Sequence, residues 1–114
     1  MSHDKREHVR IPVEVAGEVE VAGEPVSVST QNLSLGGVAL VLEPALSEDR
    51  PVRISLFLTQ DGIEDPDEEP FDVEGITRWV AQNDAGLHVV GVQFGPLNPS
   101  QRVQLERFLR LLES

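Results

Sequence analysis

The sequence predicts a mainly β protein, a small antiparallel barrel with one α-helix packed against it at the C-terminal end. Three observations carry this expectation. Apolar and polar residues alternate in short runs from Ile11 to Gly95, the period of half-buried strands. Gly, Pro, Asn and Asp clusters punctuate those runs at short intervals. The period becomes helical only after Leu97. At 114 residues the chain is most simply one domain, long enough to bury roughly two-thirds of its unfolded surface without staples.

The elements follow in order. In "IPVEVAGEVEV" (11–21), Ile11, Val13 and Val15 share one face with Glu14 opposite, and Val19 and Val21 continue it; Gly17 marks a bend or bulge. "AGEP" (22–25) is a turn, and "VSVSTQNLSLGG" runs extended to a glycine pair. "VALVLEP" is a short buried strand stopped at Pro44, and "PVRISLFLT" (51–59) is the next. "DGIEDPDEE" (61–69) holds six acidic residues in nine and is too charged to pack. "FDVEGITRWVAQ" (71–82) reads as a strand interrupted at Gly75, with Ile76 and Val80 facing the core after the break. "NDAG" turns the chain into the last strand, "LHVVGVQFG" (87–95). A helix over 99–112 is then expected, because Leu105, Phe108, Leu109 and Leu112 form an apolar stripe. Asn98 is placed as its N-cap, Pro99 as its first residue and Gln101 as the partner in a capping box.

Composition bounds the function. Twenty carboxylates stand against nine Lys and Arg, for a formal charge of −11. That balance argues against DNA, RNA or anionic membrane surfaces as partners, since each needs a basic face. It does not exclude a small anion at a local cationic cluster, because screening limits distant charges to about 8 Å at physiological salt. No cysteine is present, so disulfides and thiolate zinc sites are excluded. No signal-peptide pattern or apolar run of membrane-spanning length occurs, and a soluble, cytoplasmic protein is expected.

Three stretches could carry function. Lys5, Arg6 and Arg10 crowd into the first ten residues of an otherwise acidic chain. Pro12 biases Ile11 to extended geometry, so residues 1–10 read as a flexible arm rather than a helix, and the barrel domain as 11–114. Two guanidiniums on such an arm can fork onto a guanine edge and a phosphate; taken alone, the cluster reads as a solvated tail. In "NLSLGG" (32–37), strand parity puts Asn32 and Ser34 on one outer face and Leu33 and Leu35 toward the core. Gly36 and Gly37 would let the chain turn and a ligand approach the backbone, although a plain strand end has the same composition. Trp79, the single tryptophan, is placed outward, where an indole can stack on a purine; a barrel-end core position is the other place for it. His3, Asp4, Glu7 and His8 lack any second shell, so no metal site is expected, and His88 is read as structural.

In this order and strand context, R-x-x-x-R (Arg6, Arg10) followed by N-x-S-x-x-G (Asn32, Ser34, Gly37) resembles the PilZ domain family. The likeness extends from about Lys5 to the C-terminal helix and includes "VGVQF" (90–94), similar to the family's last strand. It implies a bacterial six-stranded antiparallel β-barrel that binds cyclic di-GMP. By position, Arg6 and Arg10 match the arginines that hold guanine and phosphate. Asn32 stands where the family has Asp or Asn, and Ser34 and Gly37, with Gly36 between them, match the positions beside the guanine. Lys5 would add a phosphate contact, and an aromatic near the ligand in some members supports Trp79. The implied function is a receptor or adaptor. Its ligand clamps the arm onto the barrel and changes the surface shown to an unidentified downstream protein. The alternative is a ligand-independent interaction protein of a motility or secretion machine. No cofactor is expected, and no Ser–His–Asp or paired-carboxylate spacing points to an enzyme.

Overall fold

The computed structural model describes residues 10–58 and 69–113. The expectations placed on Lys5, Arg6 and most of the acidic run 61–69 lie outside the described residues. The elements are β1 (Ile11–Pro12), β2 (Ala16–Val21), β3 (Glu24–Leu33), β4 (Gly37–Leu42), β5 (Pro51–Leu56), β6 (Phe71–Gln82), β7 (His88–Phe94) and α1 (Pro99–Glu113). Every pairing is antiparallel. The order β3-β2-β5-β6-β7-β4 closes because β4 pairs back onto β3, giving a six-stranded barrel with β1 as a short extra strand beside β3. Closure abolishes the open edge that would otherwise template aggregation.

Alternation dictates the core. Val19, Leu33, Leu40, Ile54, Leu56, Phe71 and Val90 point inward and are fully enclosed. Helix α1 adds Leu105, Phe108 and Leu109 to the same cluster, and Leu112 packs at its margin. The capping box forms as expected: Asn98 Oδ1 accepts from Gln101 N (2.7 Å) and Gln101 Oε1 from Asn98 N (2.9 Å). Gln101 Nε2 and Gln104 Nε2 then donate to the carbonyls of Asp72 and Glu69, which pins the helix to the start of β6.

Three expectations are corrected. The segment 11–21 is not one strand bent at Gly17; it breaks at 13–15, where the buried Thr30 hydroxyl donates to Val13 O and accepts from Val15 N. Nor does Gly75 interrupt β6. A Cβ at Gly17 would lie 2.5 Å from Ser55 O, and one at Gly75 2.6 Å from Gln93 O, so both glycines serve close strand approach. Finally, Ile76 is 38 % exposed and Thr77 is fully buried, the reverse of the expected parity. Before the bulge at Thr77/Trp79 the core face is Phe71, Val73, Gly75 and Thr77; beyond it Val80 turns inward.

Candidate functional site

An open groove of about 690 Å³ lies on the outer surface where the β3–β4 turn, β6, β7 and the start of α1 meet. Three arginines line it: Arg10 from the chain entering β1, Arg78 from β6 and Arg102 from α1. Although the chain carries 20 carboxylates, none is among the described residues that line the groove. The groove is thus a local positive exception on an acidic molecule, in a setting that desolvates a bound anion only partly.

The β3–β4 turn forms one side. Ser34 is not on the outer face beside Asn32, as strand parity had it; β3 ends at Leu33, and Ser34 is only 5 % exposed. Its Oγ accepts from Gly36 N (3.1 Å) and Gly37 N (3.2 Å), while Ser34 N donates to Gly37 O (2.9 Å). The hydroxyl therefore shapes the turn from within. Gly37 has its own steric reason, because a Cβ there would stand 2.3 Å from the carbonyl oxygen of Val92. Leu35 is half-buried against the core, near its expected place.

The opposite side is made by β6 and β7, and two bulges set the register around it. One in β3 between Thr30 and Asn32, and one in β6 between Thr77 and Trp79, each shift the register by one residue. As a result Asn32, Ala39, Gly91 and Trp79 stand directly opposite one another across four strands, in one outward row. The β6 bulge also throws both Arg78 and Trp79 outward. Arg78 Nε donates to Gln93 Oε1 (2.8 Å) and its Nη1 reaches Asp49 Oδ1 (3.4 Å), so the guanidinium is held over the groove before any ligand arrives. Asp49 is fixed in turn by the buried Thr77: Asp49 N donates to Thr77 O (2.7 Å), and Thr77 Oγ1 donates to Ser47 O and accepts from Arg50 N. Arg102 is half-exposed beside Glu106, 3.8 Å away on the next turn.

Of the sequence-derived candidates, Arg10, Ser34, Gly36, Gly37 and Trp79 come together on this groove. Asn32 shares the outward row with Trp79 but does not line the groove. Lys5 and Arg6 lie outside the described residues. Arg78, Gly91, Gln93 and Arg102 were missed. Gly91 and Gln93 fall within "VGVQF" (90–94), and the signal for Arg78 and Arg102 was that positive side chains are scarce here, which makes any arginine outside the arm worth placing. His88 Nδ1 lies 2.9 Å from Glu43 O, a contact that ties β7 to the chain after β4.

The model of the PilZ domain matches residues 4–111, nearly the whole chain. The chain belongs to the PilZ family. Solved structures agree on the fold. This PilZ domain superposes on the Bacillus subtilis inhibitor of motility MotI/DgrA with a TM-score of 0.76 at 17% identity, over 97% of this chain and 53% of that one. The PilZ domain of YcgR from Escherichia coli, solved with c-di-GMP, gives 0.77 at 19% identity over 96% of this chain and 92% of that one. The K. pneumonia MrkH–c-di-GMP complex gives 0.74 at 16% identity over 96% and 53%. The chain thus spans about half the length of MotI and MrkH. No curated protein matches the sequence. Among the described residues no helix is long and apolar enough to cross a membrane, and no cluster of His, Asp and Glu could hold a metal ion.

Proposed function

We propose that this PilZ domain is a cytoplasmic receptor module for cyclic di-GMP that does no chemistry on its ligand. The observation that carries the reading is the groove's charge: among the described residues three arginines and no carboxylate line it, on a chain of net charge −11. Membership of the family, and the YcgR and MrkH structures solved with c-di-GMP, support cyclic di-GMP as the ligand. Arg6 and Arg10 act as the clamp, one forking onto a guanine edge and the other onto phosphate, with Lys5 as an added phosphate contact. Asn32, Ser34, Gly36 and Gly37 supply the face the guanine meets, and Trp79 stacks on a base. Among the described residues the one hydroxyl lining the groove, on Ser34, is engaged by two backbone N–H groups, which supports a binding rather than a nucleophilic role.

Bridging the N-terminal arm to the β3–β4 turn orders the arm and changes the surface presented to a downstream protein. Each charge-assisted hydrogen bond contributes about 1.5–3 kcal/mol, against about 1–2 kcal/mol for each arm residue fixed. Two or three such bonds offset the ordering of a short arm and no more. Isothermal calorimetry with cyclic di-GMP tests the reading. Binding to wild type that is lost in Arg6→Ala plus Arg10→Ala supports it, and affinity should fall as salt rises. Absence of binding to wild type, or equal binding by the double variant, rejects it. An affinity independent of salt rejects the arginine clamp.

A further inference from the structure

Gly91 lies in the middle of β7, directly opposite Trp79 in the register and buried although it faces outward. A methyl group built on it would sit 2.0 Å from Trp79 Nε1, 2.2 Å from Cε2 and 2.7 Å from Cδ1. A point so near all three atoms lies above the ring plane, since a point at the ring's edge could not be that close to both carbons. The indole therefore rests face-on over bare backbone, with Gly91 beneath it. Its neighbour in the same row, Ala39, is likewise small and is 1 % exposed. One face of the indole is used up against β7, and the residue as a whole remains 36 % exposed along the groove.

From this geometry we infer that Gly91 is a positioning residue of the ligand site: by lacking a side chain it lays the Trp79 indole flat, making a rigid platform for a purine base. The inference rests on the proposed ligand and adds what holds the stacking surface in place. Any β-carbon at 91 must lift the indole, because the clashing atoms belong to a side chain that can rotate while the β7 backbone is fixed by ladders on both edges. A lifted indole presents its edge or swings out of the groove. The base then loses its planar partner and the ordering advantage of a platform already in position. Arg78, adjacent in sequence and braced by Gln93, places a cation at the rim of the same platform, where a phosphate attached to a stacked purine would fall.

The test is a double-mutant cycle on the full chain, titrated with cyclic di-GMP. Trp79→Ala and Gly91→Ala should each weaken binding by about 5- to 150-fold, the span that loss of one base–aromatic stack covers. In the Trp79→Ala background, Gly91→Ala should cost nothing further, because the methyl acts only through the indole. Acrylamide quenching of the single tryptophan should rise in ligand-free Gly91→Ala. Wild-type affinity in Gly91→Ala, or an equal penalty in both backgrounds, overturns the inference while leaving the receptor reading intact. Should Gly91→Ala not fold, Trp79→Leu, which keeps an apolar side chain and leaves Gly91 untouched, must lose affinity by a comparable factor; wild-type binding by it overturns the platform. Absence of binding to wild type removes the receptor reading and the platform's ligand with it.

Discussion

Replacing Thr77 by valine probes the joint between fold and groove. The two side chains have the same shape, so packing around this fully buried position is preserved and only the hydroxyl is lost. That hydroxyl donates to Ser47 O at 2.6 Å and accepts from Arg50 N at 2.9 Å, bonds that hold the 47–50 loop against the β6 bulge. Valine leaves both loop groups without their partner. Each such loss costs about 1–2 kcal/mol when a part-buried group is stranded, or about 2–4 kcal/mol in total. For a domain of this size, about 4 °C of melting temperature corresponds to each kcal/mol. A fall of about 8–16 °C is therefore expected by circular dichroism, a large share of a stability of about 5–15 kcal/mol. Thr77→Ser, which keeps the hydroxyl, should recover most of the loss. Because the 47–50 loop carries Asp49, which braces Arg78, loosening that loop should also lower ligand affinity in the valine variant, even though Asp49 N keeps its bond to the carbonyl of residue 77. A melting point within about 2 °C of wild type would refute the assignment of the loop's anchorage to this hydroxyl.

Three further outcomes follow from the same contacts. Gly37→Ala drives a Cβ into the Val92 carbonyl at 2.3 Å, so the β4–β7 ladder must part locally; a loss of about 1–3 kcal/mol is expected in denaturant unfolding, together with weaker ligand binding. Asn98→Ala removes half of the capping box and should lower the melting temperature by about 4 °C, roughly 1 kcal/mol, with ligand affinity unchanged. Arg78→Ala should weaken cyclic di-GMP binding about tenfold and make its salt dependence shallower, since one of the groove's cations is gone; equal salt slopes would show that Arg78 meets no phosphate.

The sequence by itself determined which residues could be strand, helix or turn, and much of which face each strand buries. Alternation from Ile11 to Val21 gave the correct inward set even though the strand is broken at 13–15, because side-chain parity survives the break. Asn98, Pro99 and Gln101 announced the helix start through chemistry that is local in sequence, and local chemistry is readable there. Arg10, Ser34, Gly36 and Gly37 stood out only when the two motifs were read together, and they line one groove with Trp79.

What tertiary structure alone decided is everything that depends on a register between distant strands. A bulge adds one residue and reverses parity, and the sequence put that break at Gly75 whereas it falls between Thr77 and Trp79; that is why Ile76 and Thr77 exchanged places and Arg78 went unremarked. Ser34 left the outer face because the strand ended two residues earlier than its alternation suggested, at Leu33 rather than Leu35, and its hydroxyl found two N–H groups in the turn. Gly91 looks like an ordinary last-strand glycine until the β6–β7 register, offset by the bulge, sets Trp79 opposite it, and Arg102 reaches the groove only because the helix docks on β6. The residue types are written in the chain; their meeting is fixed by which strands pair and by how many residues each pairing skips.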